Sequence, residues 1–547
     1  HIASLALMTF CASPCGSRTF LDIFAIGLQL TGMGRKNKKG GGGGGAKAAP
    51  PAASGDKEAQ PVPTLSKSAK REVNELVTQL LEICSKPPAS GAKELEDYPE
   101  IHGLVEKIRK LQSGLKPTET NREESFPALL EWLHKNGVDT SAVEINSFSG
   151  YGHGLKATKD IKETDLIVKI PRSVMMTVDS ALKSPLGELM KEDKILQVMP
   201  NVTLAIHLLV ELKSPDSFWK PYLDALPSSY STPLYFSPEE LQHLKGSPTL
   251  GNSITQYRSI ARQYAYFYRL LQKHPSASKL HISENFTFDD YRWAVSTVMT
   301  RQNLIPKQDD PSKKTYGLIP LWDMCNHANG VYTTDFDTEN NCSLCYAQED
   351  VTAGNQIFMF YGPRSNGEFL VHNGFVYPEN EHDRLCLKLG ISKGDPLCEA
   401  KSEVLGKISL QASRSFYLHC GECPVDGELL AFLRVFSMDE DTLKSTYSGD
   451  VNKETLEKLM ELENPVSPDN EGKLWAFLET RATLLLKAYP TTAQEDEVQL
   501  QQSDLPYSLL MALQLRVREK RILQQTVTFA SRRKQMAKET APTNGES

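Results

Sequence analysis

The sequence predicts an α+β protein: a small β-rich domain, interrupted by a helical insertion and followed by a separate all-α domain. Three observations carry this. Short alternating apolar segments punctuated by glycine lie at 143–170, and strand character returns at 342–361. Between them, 177–300 places apolar residues at the i, i+3, i+4 spacing of buried helix faces. Beyond about 380 that helical spacing resumes and runs to 532.

The elements follow in order. Residues 34–64 hold the basic cluster Arg35-Lys36-Asn37-Lys38-Lys39, six glycines at 40–45, then alanine, proline and serine. Such a stretch buries no core and is predicted to be disordered. Its basic cluster reads as a nuclear-localisation or anion-binding patch, or equally as a solubilising tail. Residues 20–32 resemble a signal core only faintly, because no basic flank precedes them and Asp22 interrupts them. Met33 reads as a more natural start than His1, so 1–32 are read as upstream sequence without targeting function. Order is expected from Ser66. Val73, Leu76, Val77, Leu80 and Leu81 predict one helix. Phe126, Leu129, Leu130 and Leu133 predict a second over 124–135, closed by Asn136-Gly137, with a polar linker containing Lys116-Pro117 between the two.

Strands are expected at 143–148, 155–158 and 165–170, with the glycine turn Ser149–Gly154 between the first two, and again at 342–347 and 356–361. Insertion helices are expected around Leu204–Leu212, Tyr257–Leu271 and 288–300. Later helices are expected at 399–412, 427–437, 453–463, 471–488 and 503–532. The domain plan is therefore a low-complexity extension over 1–65, a helical region over 66–140, a β-rich domain over 141–362 with its insertion at about 177–300, a short segment over 363–380 and a helical domain over 381–540. That last domain suits a partner-binding platform, although stripes that bury one another explain most of its pattern.

Composition narrows the function. A formal net charge of −7 gives no general reason to bind nucleic acid. No run of 18 apolar residues is present, so no membrane span is expected. Ten cysteines scattered over 547 residues point to reduced thiols in the cytosol or nucleus. Cys342 and Cys345 lie in a strand-like run, where positions i and i+3 face opposite ways, and this disfavours a zinc site. Asp323, Cys325 and His327 fit no common zinc spacing, so no metal is predicted.

The chemistry concentrates in Leu321-Trp322-Asp323-Met324-Cys325-Asn326-His327 and in Tyr361-Gly362, 34 residues beyond His327. Asn326 brings donors and acceptors suited to an adenine edge or an amino-acid moiety. His327 is open to three roles: ligand, base or hydrogen-bonding anchor. Tyr361 ends the apolar run Ile357–Phe360, and its hydroxyl is either buried with its ring or aimed at a reacting group. Arg364 could position an acidic group or a carbonyl. Arg301 and Asn303 close a predicted helix, where a cation favours the dipole. The glycines at 150, 152 and 154 allow close backbone approach, but lack the strand–turn–helix context of a dinucleotide fingerprint.

Four segments carry a family resemblance: Gly152–Ala157, Ser217–Pro227, Trp322–Gly330 and Tyr361–Asn366. They resemble the SET-domain methyltransferases of the Rubisco-methyltransferase type. The resemblance spans roughly 66–540. It implies a SET domain with a helical insertion, a pseudoknot bringing Asn326-His327 beside Tyr361, and a helical substrate-binding domain. Arg262–Tyr268 and Tyr291–Asn303 are most similar to the members that methylate a histidine of actin.

The resemblance therefore implies an S-adenosylmethionine-dependent methyltransferase acting on the tele nitrogen of an actin histidine, without metal, as a monomer, in the cytoplasm and also the nucleus. It implies that Arg122, the backbone of Tyr151, Gly152 and His153, Arg301, Asp323, Met324, Cys325, Asn326, His327, Asn373, Gly374 and Phe375 hold the cofactor. The actin-methylating members carry a different residue pair where Tyr151 and His153 stand, which backbone contacts should tolerate. Tyr361, Asn303 and Trp322 would enclose the target imidazole, with Trp322 stacking on it, and Asn201, Gln263 and Arg364 would hold the flanking peptide. Two competing readings are a protein-lysine methyltransferase of the same fold and a non-catalytic binding module. Asn303 and Trp322 suit a flat imidazole better than a lysine channel, and an intact Asn326-His327 and Tyr361 set argues for catalysis.

Overall fold

The computed structural model describes residues 64–115, 122–447, 449 and 451–540. The expectations for 1–32, for the glycine-rich stretch up to 63 and for Lys116-Pro117 lie outside the described residues. Helix α1 (Lys67–Ser85) begins where expected, with the Ser66 hydroxyl accepting from the Ala69 amide, and buries Val73, Val77, Leu80 and Cys84. The expected polar linker is mostly helix α2 (Gly91–Leu111). Its buried stripe of Tyr98, Ile101, Leu104, Val105 and Ile108 is helical in spacing, but Pro99 and the charged residues before it mask the pattern. Helix α3 (Phe126–Lys135) ends at Asn136, and Gly137 takes φ +81° as predicted for the cap.

Three small sheets make the β-rich domain. The first runs β1 (Val143–Phe148), β2 (Gly152–Ala157), β10 (Gln356–Met359), β7 (Asn326–His327). The second runs β3 (Leu166–Pro171), β9 (Cys342–Tyr346), β8 (Thr334–Asp337), and the third β4 (Met176–Thr177), β6 (Lys314–Leu318), β5 (Gln302–Pro306). Strand β2 starts three residues before the expected Leu155, because His153 and Gly152 pair with Ser147 and Phe148. The turn is Ser149–Tyr151, and Gly150 and Gly152 take φ +79° and +70°. Strands β5, β6 and β8 were not predicted; they are short and carry polar residues that blur a period of two.

The insertion includes α4 (Pro200–Leu212), α5 (Pro248–Lys273) and α6 (Phe288–Arg301). Helix α7 (Asn366–Asn373) follows the last strand of the domain. The C-terminal part is largely helical: α8 (Cys398–Lys407), α9 (Gly427–Ser437), α10 (Pro468–Leu486) and α11 (Tyr507–Glu539). It is not all-α, however. β11 (Arg384–Gly390) and β12 (Ser413–His419) form an antiparallel pair with seven residues in register on each strand. The helix expected over 399–412 stops at Lys407: Leu410 N–H returns to the Leu405 carbonyl and Ser409 takes φ +61°, freeing the next residues for β12. Of 453–463, only Lys453–Glu457 is α-helix, continued by a single 3₁₀ turn.

Two buried clusters result. One joins α1–α3, the sheets and the insertion; the other fills the C-terminal part. Helix α11 enters both, giving Met511, Ala512 and Leu515 to the first and Ile522, Leu523, Phe529 and Ala530 to the second.

Candidate active site

The site is built where β7 lies parallel to β10, with Asn326 opposite Phe358 and His327 opposite Met359. This pairing places two segments far apart in sequence side by side. The Tyr361 amide donates to His327 Nδ1 at 3.2 Å, and the Tyr361 hydroxyl donates to the Cys325 carbonyl at 2.6 Å. Entry into the segment is strained. Leu321 is fully buried at φ +73°, a conformation leucine rarely adopts, and a 3₁₀ turn over Trp322–Met324 follows it.

His327 is an anchor. Its ring packs against Phe369 at 4.6 Å, Tyr377 at 5.0 Å and Tyr361 at 5.2 Å. Burial pushes it down to about 4, against a backbone contact with Met359, so it is neutral at physiological pH. Because Nδ1 accepts from Tyr361, the proton resides on Nε2. Burial likewise pushes the Tyr361 hydroxyl well above the usual tyrosine range, so it stays protonated.

Asn326 Nδ2 donates to Gln356 Oε1 at 2.8 Å and lies 3.3 Å from the His153 carbonyl. Gly154 makes this approach possible: a Cβ there would stand 2.7 Å from both Asn326 Nδ2 and Gln356 Oε1. His153 Nε2 is 3.0 Å from Glu123 Oε1, and its ring meets Phe126 edge-on. Tyr151 is exposed, its ring against Phe358.

A charged cluster adjoins. Arg301 Nη1 donates to the Asp323 carbonyl at 2.9 Å and lies 3.4 Å from Asp323 Oδ1. Tyr222, a residue the sequence reading did not single out, donates its hydroxyl to Asp323 Oδ2 at 2.6 Å. Burial works against the charge on Arg301, and Asp323 together with Tyr230, Tyr222 and Tyr361 outweighs it. Arg122 Nε donates to the Ala225 carbonyl at 2.6 Å, and burial together with Arg301 pushes its guanidinium down to about 10. The cluster therefore holds two guanidiniums against one carboxylate, and Arg301 Nε is buried without a hydrogen-bond partner. That surplus suits an incoming carboxylate.

The remaining wall comes from the end of α7. Asn373 Oδ1 accepts from Arg364 Nη1 at 2.8 Å, and its Nδ2 reaches the Thr300 carbonyl at 3.4 Å, beside Arg301. Gly374 caps the helix at φ +82°, and its carbonyl accepts from Ser231 and Tyr507. Phe375 stacks on Phe369 with ring centroids 4.9 Å apart.

Comparison with known proteins agrees with this geometry. Residues 152–362 match the SET domain family and 392–523 the Rubisco LSMT substrate-binding family. Actin-histidine N-methyltransferases of Mus musculus and Homo sapiens are each 49% identical over 462 residues, covering 84% of this chain and 78% of theirs. The chain belongs to the actin-histidine N-methyltransferase family of SET-domain proteins. Among solved structures, Rubisco LSMT bound to AdoMet aligns with TM-score 0.63 at 25% identity, over 77% of this chain and 97% of that one. The SET domain of LSMT bound to lysine and AdoHcy aligns in fold with TM-score 0.64 at 24% identity, over 76% and 93%.

Within this SET-family site, Asn303 on β5 is half-buried, its Nδ2 donating to the Arg301 carbonyl at 3.2 Å. Trp322 departs from the expectation that it stacks on a target ring. It is fully buried, with Nε1 donating to Thr334 Oγ1 at 2.8 Å, so it backs the site rather than offering an open face. Gln263 also departs. It is 2% exposed and its Oε1 accepts from the Tyr291 hydroxyl at 2.8 Å, which makes it part of the α5–α6 packing rather than a peptide contact. Asn201 is half-buried in the first turn of α4, outside the hydrogen-bonded set around Tyr361. Among the described residues, no group of three or more His, Cys, Asp or Glu is arranged to hold a metal ion. Besides Tyr222, three site residues lie outside the sequence motifs: Gln356, Thr334 and Tyr230, whose hydroxyl donates to Thr297 Oγ1 at 2.8 Å and supports the charge on Arg301. Only Tyr222 carried a signal, since it lies in the family segment Ser217–Pro227.

Proposed function

We propose that this chain transfers a methyl group from S-adenosylmethionine to the tele nitrogen of a histidine in actin. The observation that carries the choice of nitrogen is the orientation of Asn303. Its amide donor is engaged by the Arg301 carbonyl, which leaves Oδ1 as an acceptor. An acceptor at that position holds the proton of an imidazole on Nδ1. The lone pair then resides on Nε2, the tele nitrogen.

The cofactor's fit rests on the chain's own residues. Arg122 and Arg301 would hold its carboxylate, and the Asn326 amide, the backbone of Gly152 and His153 and the Asn373–Phe375 turn would hold the rest. Bound there, it supplies an electrophilic methyl on a sulfonium. Tyr361 spends its proton on the Cys325 carbonyl, so its oxygen lone pairs are free to face a positively polarised methyl. Kept protonated by burial, it acts as a dipole and not as a base. No base is required, because a histidine near its reference pKa of about 6.5 is mostly neutral at pH 7, whereas a lysine near about 10.4 costs about 4.6 kcal/mol to deprotonate. The buried indole of Trp322 holds the wall shape.

Support for the substrate comes from the 49% identity to relatives that carry this activity in their name. The matched substrate-binding region suits a protein partner. On this reading the chain would act in the cytoplasm and also in the nucleus, as a monomer. Mass spectrometry of an actin peptide incubated with protein and cofactor tests the reading. We expect one methyl on the imidazole Nε2. Methylation of lysine, or of Nδ1, would refute it. Tyr361→Phe and Asn303→Ala should each slow turnover at least about tenfold, the effect of losing one hydrogen bond worth about 1.4 kcal/mol. Near-normal rates in both would remove their assigned roles.

A further inference from the structure

We infer that Cys420 and Cys423 form a thiol–disulfide exchange site, closed by glutathione disulfide, whose state is transmitted to the segment bracing the methyl-transfer site. After β12 the chain turns back at once. Leu418 pairs antiparallel with Val425, and the His419 amide donates to the Pro424 carbonyl at 3.0 Å. One step further in the same register, Cys420 faces Cys423 across Gly421 and Glu422, with Gly421 at φ +99°. Facing residues of an antiparallel pair have Cα atoms about 4.5–5.5 Å apart. That falls inside the range of about 4.4–6.8 Å that a disulfide spans. Both thiols are free, Cys423 exposed and Cys420 half-buried.

Cys420 lines a cavity of about 470 Å³ whose walls include Arg518 and Arg521, with Glu379 and Glu381 also on its rim. Arg521 is held by Glu497 at 2.8 Å and Arg518 lies 3.8 Å from Asp383, so the cavity offers both signs of charge to a small zwitterionic disulfide such as glutathione disulfide. Burial pushes the Cys420 thiol up, so the exposed Cys423 is the entry point. The Cys423 thiolate attacks one sulfur of glutathione disulfide, forming a mixed disulfide and releasing one glutathione thiolate. The Cys420 thiolate then attacks Cys423 Sγ, forming the internal bond and releasing the second glutathione. The protein loses two protons and two electrons, and the glutathione disulfide gains them.

Transmission follows from what Cys420 holds. Its Sγ donates to the Glu381 carbonyl at 3.3 Å. Next to Glu381, the Asn380 Nδ2 donates to the Arg364 carbonyl at 2.8 Å, and the Glu379 carbonyl accepts from Asn329 Nδ2 at 2.7 Å. Arg364 lies just after Tyr361 and Asn329 just after His327, so residues 379–381 brace both halves of the site. A disulfide has no S–H to donate, and closure removes the Glu381 contact.

The transmission half rests on the proposed methyl-transfer activity, whereas the exchange half does not. The full chain is first assayed reduced, then treated with glutathione disulfide, alkylated and mapped by mass spectrometry. We expect an internal Cys420–Cys423 bond, a several-fold loss of methylation, recovery with dithiothreitol, and no response in Cys423→Ser. A Cys423–glutathione adduct that never closes, or two freely alkylated thiols, would overturn the exchange site. Closure with an unchanged rate would overturn the transmission. A reduced protein with no activity would count against the methyl-transfer reading alone, since the mass map still decides the exchange site.

Discussion

Raising the pH from 7 to 9 separates a histidine acceptor from a lysine acceptor by magnitude alone. A lysine with pKa about 10.4 gains its free base about tenfold per unit, so its methylation would climb about a hundredfold over this range. A histidine with pKa about 6.5 is already about three-quarters neutral at pH 7 and gains only about 1.3-fold. The protein adds little slope of its own. His327 is pushed down to about 4, Arg122 only to about 10, and Tyr361 and Arg301 are held above their ordinary ranges. The expected profile of kcat/KM on an actin peptide is therefore flat from pH 7 to 9, falling below about 6.5 as the acceptor protonates. The assay is initial-rate methyl incorporation with saturating cofactor at constant ionic strength. A rise near tenfold per pH unit between 7 and 9 would refute the reasoning, whichever residue proved to be modified.

Three further outcomes test the site and its support. Gly154→Ala sets a Cβ 2.7 Å from Asn326 Nδ2 and should disrupt its hydrogen bonds; at about 1–3 kcal/mol, cofactor affinity by calorimetry should fall about 5- to 150-fold. Unchanged affinity would show that Asn326 does not need this placement. Arg122→Met should weaken cofactor binding about 10- to 150-fold, the effect of losing a charge-assisted contact of about 1.5–3 kcal/mol, while an analogue lacking the carboxylate binds both proteins alike. Equal losses for both ligands would point to misfolding instead. The third concerns His207, fully buried with Nε2 at 3.0 Å from the Ser180 hydroxyl and pushed down by burial to about 3. A folded-state value below the unfolded one means its contribution is complete above about pH 6.5 and is lost as pH falls toward 3. Between pH 7 and 4.5 the protein should lose about 2.5 kcal/mol more than His207→Gln, read by urea unfolding. Parallel pH slopes would exclude that assignment.

The sequence disclosed most of what local pattern can disclose. The stripes of α1, α4, α5 and α6 and the alternation of β1 and β3 follow directly from spacing, and their boundaries moved by only a few residues except at α5, which starts at Pro248, nine residues before Tyr257. Helix α2 escaped because Pro99 and the charges before it mask a sound buried face. Strands β11 and β12 escaped because they flank a helix in a region of helical spacing, and their pairing is a long-range fact that composition does not encode. The site divides the same way. Asn326, His327 and Tyr361 were legible as a motif, but the direction of each hydrogen bond was not. The left-handed Leu321, the burial of Trp322 and the capture of Gln263 by Tyr291 all depend on neighbours remote in the chain. Tyr222 and Gln356 became site residues only when folding set them against Asp323 and Asn326.

Helix α11 has a consequence for how the protein is born. Met511, Ala512 and Leu515 complete a core whose other members begin at Val73. A nascent chain carries that unfinished apolar surface until α11 itself has left the ribosome. Closure of the methyl-transfer domain therefore waits for α11, and until then the exposed patch is a client surface for chaperones. The same arrangement makes the C-terminal part impossible to remove cleanly: a chain cut before α11 would lose the plug of the domain that holds Tyr361.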